Sequence, residues 1–213
     1  MNEFYFNTKL DQTILLGRTA KNIPELLEGI KAVPESSIYY HTHKFLHQHH
    51  FLSPEPPNDF SYWITEVLND ARLGEIMSSV DIIQFHTLED LRNRFVEILS
   101  EQPQQDQRLL SAPQGEEFHF MCSRMFVLRT PHIAHNLDEF KEVLKRVSVN
   151  SLYYHIFDAK LRLEKGENDF SRWFRDLGKP ELAEKVARLD PYTFTLEGLR
   201  SRIIQLVERY GTN

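Results

Sequence analysis

The chain of 213 residues is 41% hydrophobic and 12% aromatic, enough to bury a substantial core in one large domain or two small ones. Its net charge of −6 argues against broad binding to phosphate backbones, which depends on clustered Lys and Arg. No apolar run reaches the roughly 18–20 residues of a membrane span, the N-terminus MNEFYFNTKL lacks the blocks of a signal peptide, and a single cysteine excludes an internal disulfide framework. A soluble, cytoplasmic protein with no nucleic acid or membrane partner is the expectation. Cys122 reads as a small core residue rather than a nucleophile.

Taken in order, residues 4–16 show no clean period and read as part of a short strand pair at most. Ile23, Leu26, Leu27, Ile30 and Val33 then recur at helical spacing and predict an amphipathic helix. A second helix runs through Tyr39-Tyr40-His41, and Pro54, Pro56 and Pro57 end it. Asn58-Asp59 ahead of Phe60 and Trp63 is a capped start, residues 73–80 form a shorter helix, and the β-branched stretch 82–85 is a candidate strand. Thr87 stands where an N-cap hydroxyl accepts from the first turn of a helix striped by Leu88, Leu91, Phe95, Ile98 and Leu99. Residues 102–117, polar with two prolines and a glycine, read as a linker.

Beyond the linker the chain repeats itself. AKNIPELLEGIKAVPESSIYYH (20–41) aligns without a gap to AHNLDEFKEVLKRVSVNSLYYH (134–155), NDFSYW (58–63) to NDFSRW (168–173), and TLEDLRNRFVEIL (87–99) to TLEGLRSRIIQLV (195–207). The helical stripes recur as Leu137, Phe140, Leu144 and Val147, and as Leu196, Leu199, Ile203, Leu206 and Val207. The expected fold is therefore mostly α. It is a tandem internal duplication of a five-helix unit, residues 4–101 and 118–210, with a short strand pair per unit, packed about a pseudo-twofold axis as one merged globular body. Arg200, Arg202 and Arg209, interleaved with Glu197 and Glu208, read as a solvated face of mixed charge.

The runs GRTAKNIPELLEGIKAVPESSIYYHTHKFL, LSPEPPNDFSYWITEVL and TLEDLRNRFVEIL together resemble an uncharacterised prokaryotic family, the domain of unknown function numbered 5752. The resemblance covers most of the chain. It implies no reaction, cofactor or catalytic residue; that members occur beside sugar-transferring and glucan-handling enzymes implies a pathway, not a chemistry.

Residues 36–50, SSIYYHTHKFLHQHH, hold five of the chain's ten histidines. Tyr40, His41, Asp59 and Trp63 have counterparts in Tyr154, His155, Asp169 and Trp173. A histidine and an aspartate that recur together predict a buried polar contact; the alternative is a general-base dyad of His41 and Asp59, with Ser37 or Ser151 beside it. No glycine-framed elbow surrounds either serine, and Ser37 reads as a helix N-terminal residue. The recurring aromatics, with His43, His155 and Asp169, are also candidates for a ligand-binding pocket, against a reading as core.

His43, His47, His49 and His50 have no counterparts. On a helix, His43, His47 and His50 fall close to one face, as ligands of a divalent metal such as zinc would, with Glu55, Asp59 or His86 completing the set. No HExxH glutamate, Walker loop, GxGxxG or GxSxG accompanies them. Two functions follow. The first is a non-catalytic interaction or regulatory protein that takes a protein partner or small ligand in a groove between repeats, with a homo-oligomer as a further option. The second is a metal-assisted or His/Asp-dependent hydrolase or transferase acting from the first repeat.

Overall fold

The computed structural model describes residues 3–44, 58–102, 110–163, 167–189 and 195–211. Two strands of 17 residues, Phe4–Ala20 (β1) and Phe118–Ala134 (β2), pair as a two-stranded sheet. They run antiparallel: Phe6 O accepts from the Thr130 hydroxyl, and Ser123 Oγ meets Asp11 further along β1 but earlier in β2.

After β1 come α1 (Ile23–Ala32), α2 (Glu35–Tyr39), a π-helical turn (Tyr40–Lys44), α3 (Asp59–Glu66), α4 (Ala71–Ser78), a 3-10 turn (Ile82–Gln84) and α5 (Leu88–Ser100). After β2 come α6 (Leu137–Leu144), α7 (Val149–Tyr153), a second π-helical turn (Tyr154–Asp158), α8 (Ala159–Leu163), α9 (Asp169–Asp176), α10 (Pro180–Ala187) and α11 (Leu196–Tyr210).

Local chemistry sets the helix starts. Asn22 and Asn136 accept from the amides of Glu25 and Glu139, and those glutamates accept in turn from the amides of Lys21 and His135, which satisfies end groups that have no helical partner. Asn58 and Asn168 cap α3 and α9 through Ser61 and Ser171; their amide nitrogens donate to Met77 O and Val186 O, tying each helix start to the helix that follows. Thr87 and Thr195 cap α5 and α11. The expected strand at 82–85 is a 3-10 turn, too short to pair, and the proline-ended helix boundary at 54–57 lies outside the described residues.

The expected mostly helical tandem of five-helix units, each with a short strand pair of its own, is overturned by the long two-stranded sheet and by where the chain divides. One compact unit joins residues 1–10 to 125–213, and the other is 11–124. Phe4 and Phe6 of β1 are buried among Phe140, Leu144, Phe170, Trp173, Phe174 and Ile203, helices of the second sequence copy. Phe118 and Phe120 of β2 are buried among Ile23, Leu26, Ile30, Phe60, Trp63 and Phe95, helices of the first. The expected pseudo-twofold packing of contiguous copies thus loses its premise. The physical reason is length: at about 3.3 Å per residue each strand extends for roughly 55 Å, so its Phe-x-Phe end reaches helices far from its own in sequence. Each such ring contributes about 1.5–3 kcal/mol by burial.

Arg92 on α5 sends its guanidinium to Ile30 O and Val33 O, at 3.0 and 2.7 Å, closing the carbonyl end of α1. Arg200 on α11 does the same for Leu144 O and Val147 O at the end of α6. Both arginines are buried, which corrects the reading of Arg200 as part of a solvated face. Glu197, Arg202, Glu208 and Arg209 are exposed and keep that character.

Candidate functional site

The chemistry-bearing residues gather where each π-helical turn meets a strand. A π turn widens the helix by one residue per hydrogen-bonded ring, and such turns are frequent at functional positions. Here it follows α2 and α7 directly, and places His41 and His155 against strand backbone.

His41 Nδ1 lies 2.6 Å from Asp59 Oδ2, and its Nε2 accepts the backbone N–H of Met121 at 3.0 Å. His155 repeats the arrangement, with Asp169 Oδ2 at 2.7 Å and the N–H of Asn7 at 2.8 Å. An Nε2 that accepts from an amide carries no proton, so the ring's proton sits on Nδ1 and is donated to the aspartate. Both rings are buried, His41 against Phe118 and Phe60, His155 against Phe4 and Phe170. In this arrangement neither ring has a nitrogen open to take a proton from a substrate.

The rest of the turn differs between copies. Thr42, His43 and Lys44 are buried where the other copy has Ile156, Phe157 and Asp158. Thr42 Oγ1 donates to Ile38 O at 2.6 Å and meets His43 Nδ1 at 3.0 Å; since the hydroxyl proton is already given, His43 Nδ1 is the donor. The His43 ring stacks on Tyr39 at 5.7 Å with an interplanar angle of 2°. Lys44 Nζ donates to Thr13 Oγ1 at 2.8 Å and lies over the Tyr40 ring. In the other unit the lysine comes from the strand: Lys9 Nζ lies 2.8 Å from Asp158 Oδ2, both side chains almost fully buried, and 4.6 Å from the centre of the Tyr153 ring. Lys9, Lys44 and Asp158 were not visible as a group in the sequence, because each joins a turn to a strand distant along the chain.

Ser151 Oγ donates to Asn7 O at 2.6 Å, while Ser37 Oγ is buried with no hydrogen-bond partner among the described residues; neither serine hydrogen-bonds a histidine nitrogen among them. Trp63 is buried and donates Nε1–H to Glu116 O at 2.8 Å, and Trp173 is buried with Phe140 and Phe4. Tyr154 is buried edge-on to His155, and Tyr40 is half-buried edge-on to His41. Cys122 is buried. Of the expected metal ligands, His43 is in the turn and His86 is exposed, while His47, His49, His50 and Glu55 lie outside the described residues. Among the described residues no group of three or more His, Cys, Asp or Glu is placed to hold a metal ion. No helix among them is long and apolar enough to cross a membrane.

A family model described as a family of unknown function (DUF5752) matches residues 1–208. The chain is similar over its full length to the solved structure of OrfY from Thermoproteus tenax, at 28% identity and a TM-score of 0.81, covering 97% of that chain. No functionally curated protein matches.

Proposed function

Since the chain belongs to the DUF5752 family, and that membership brings no reaction with it, we propose that it is a non-catalytic interaction or regulatory protein. One observation carries this reading: the chain's recurring His/Asp pair spends both ring nitrogens inside the fold, in both copies, on an aspartate and a strand amide. A general base needs one of them free. Surface evidence supports the same reading, because the sheet presents large apolar side chains to solvent, among them Tyr5, Leu10, Phe126 and Leu128.

The test is capture of a partner from native extract by the tagged full-length chain, followed by reconstitution of the complex from purified components. A stoichiometric complex of wild-type protein that forms equally well with the His41→Asn variant is the expected result. A turnover reaction carried by the purified chain and abolished in His41→Asn, with the variant's melting curve unchanged, would overturn the reading. The setting we propose for the partner is sugar or glucan metabolism, as the family resemblance implies; glycosyl-transferring enzymes whose activity and stability are indifferent to the protein would count against it.

A further inference from the structure

The inference rests on the interaction reading and concerns where a partner docks. β2 contains no aspartate or glutamate between Phe118 and Ala134, although the whole chain carries a net charge of −6. Within it Phe126, Val127 and Leu128 are 43%, 49% and 49% exposed. Successive strand residues point to opposite faces, so this run offers apolar surface on both faces of the sheet. Leu10 and Tyr5 of the same compact unit are also exposed, at 60% and 40%. The Arg129 guanidinium lies 5.1 Å from the centre of the Tyr5 ring, and the nearby Glu3 is engaged by the Tyr5 hydroxyl and by His135.

The sequence recurrence supplies a control. Gln12 and Thr13 of β1 stand at the positions matching Phe126 and Val127, and both are exposed. The fold accepts polar side chains there, so folding does not require Phe126 and Val127 to be apolar. Among the described residues the sheet has two strands, so β2 has β1 on one side and its other edge carries backbone groups outside the ladder. Pro131 has no amide to donate, which confines further pairing to the stretch before it.

We infer that residues 125–129 of β2 are a docking strand for an extended segment of another protein that is both acidic and apolar. Its backbone pairs with the open edge, its apolar side chains pack against Phe126, Leu128 and Val127, and its carboxylates meet Arg129. Charge complementarity selects this occupant. A second copy would bring another acid-free, arginine-bearing strand to the same edge, and a lipid surface engages apolar side chains on one face, whereas these lie on two.

The probe is a short fluorescent peptide alternating Glu with Val and Phe, with a Lys-for-Glu peptide as control, titrated with the full-length chain. Saturable binding of the acidic peptide alone is expected, weakened about tenfold or more by the Phe126→Gln/Val127→Thr double substitution and by Arg129→Glu. The melting temperature of the double variant is expected to stay unchanged, which separates lost docking from lost folding. Equal binding of both peptides, or undiminished binding by the double variant, would overturn the site. So would variant-sensitive binding to phosphatidylserine vesicles, or a wild-type dimer that the double substitution dissolves. A native partner still captured by the double variant overturns this site and leaves the interaction reading standing; a wild-type chain that captures nothing sinks that reading instead.

Discussion

Met121 donates its backbone N–H to Nε2 of His41 at 3.0 Å, fastening a strand to a helix turn 80 residues earlier in the chain. Asn7 fastens β1 to His155 in the same way. Each histidine thus acts as a bracket between an aspartate at a helix start and a strand amide. Replacing His41 or His155 with Ala leaves a part-buried strand amide and a helix-start aspartate without the ring and is expected to cost about 1–3 kcal/mol in urea unfolding. Matching losses at the two positions indicate a shared structural role; loss of stability at only one would refute it.

The Lys9–Asp158 pair is almost fully buried. Lys9→Met removes the cation from beside the buried Asp158 carboxylate and is expected to destabilise by about 3–5 kcal/mol. The Lys9→Met/Asp158→Leu double variant removes both charges and should recover most of that loss. Additive losses in a double-mutant cycle would show that the two groups act independently.

Gly29 on α1 faces the Phe120 ring so closely that an added Cβ would sit 2.1 Å from Cζ. Alanine is the better helix former by about 1 kcal/mol, yet the clash should make Gly29→Ala net destabilising, by roughly 1–3 kcal/mol. Pairing it with Phe120→Leu, which removes Cζ, should return part of the stability. A Gly29→Ala variant as stable as wild type would show that the ring moves aside at no cost.

Nη1 of Arg92 and of Arg200 donates to the carbonyls that end α1 and α6 while Nε faces Glu89 or Glu197, a fork that lysine cannot reproduce. Arg92→Lys keeps the charge and loses the fork, with an expected cost of about 1.5–3 kcal/mol. Thermal melts of this variant and of Arg200→Lys should fall together.

His135 is exposed and sits 2.7 Å from Glu139, which raises its pKa above the ordinary 6.5, first through their hydrogen bond. Glu139 is correspondingly lowered below 4.5, first by the His135 backbone N–H. For the histidine the pairing contributes fully below its unfolded value and is lost as pH rises through the raised folded one. For the glutamate it is present above its unfolded value and lost as pH falls through the lowered folded one. The NMR titration midpoint of His135 is therefore expected above that of an unperturbed imidazole, and Glu139→Gln should bring it down.

The helix starts were legible because capping is local: Asn58, Thr87 and their counterparts satisfy amides three residues away, whatever the rest of the chain does. Likewise the recurrence of His41 with Asp59 is legible in the sequence, since both partners of the 2.6 Å contact lie within the matched segments. The π turn was not legible, because it depends on what the turn must reach. Nor was Arg200, whose sequence neighbours are charged while its guanidinium lies among carbonyls of α6.

By itself the sequence determined the stripes, the caps, the two matched copies and an acid-free β2. Tertiary structure alone decided which helices each strand serves. Phe4-x-Phe6 and Phe118-x-Phe120 bury the same aromatic pattern, and alternation specifies only that one face must be covered, not by which helices. A 17-residue strand can carry that face to either helical layer. The long-range contacts that fix the choice, from Asn7 to His155 and from Met121 to His41, join residues that no local pattern connects.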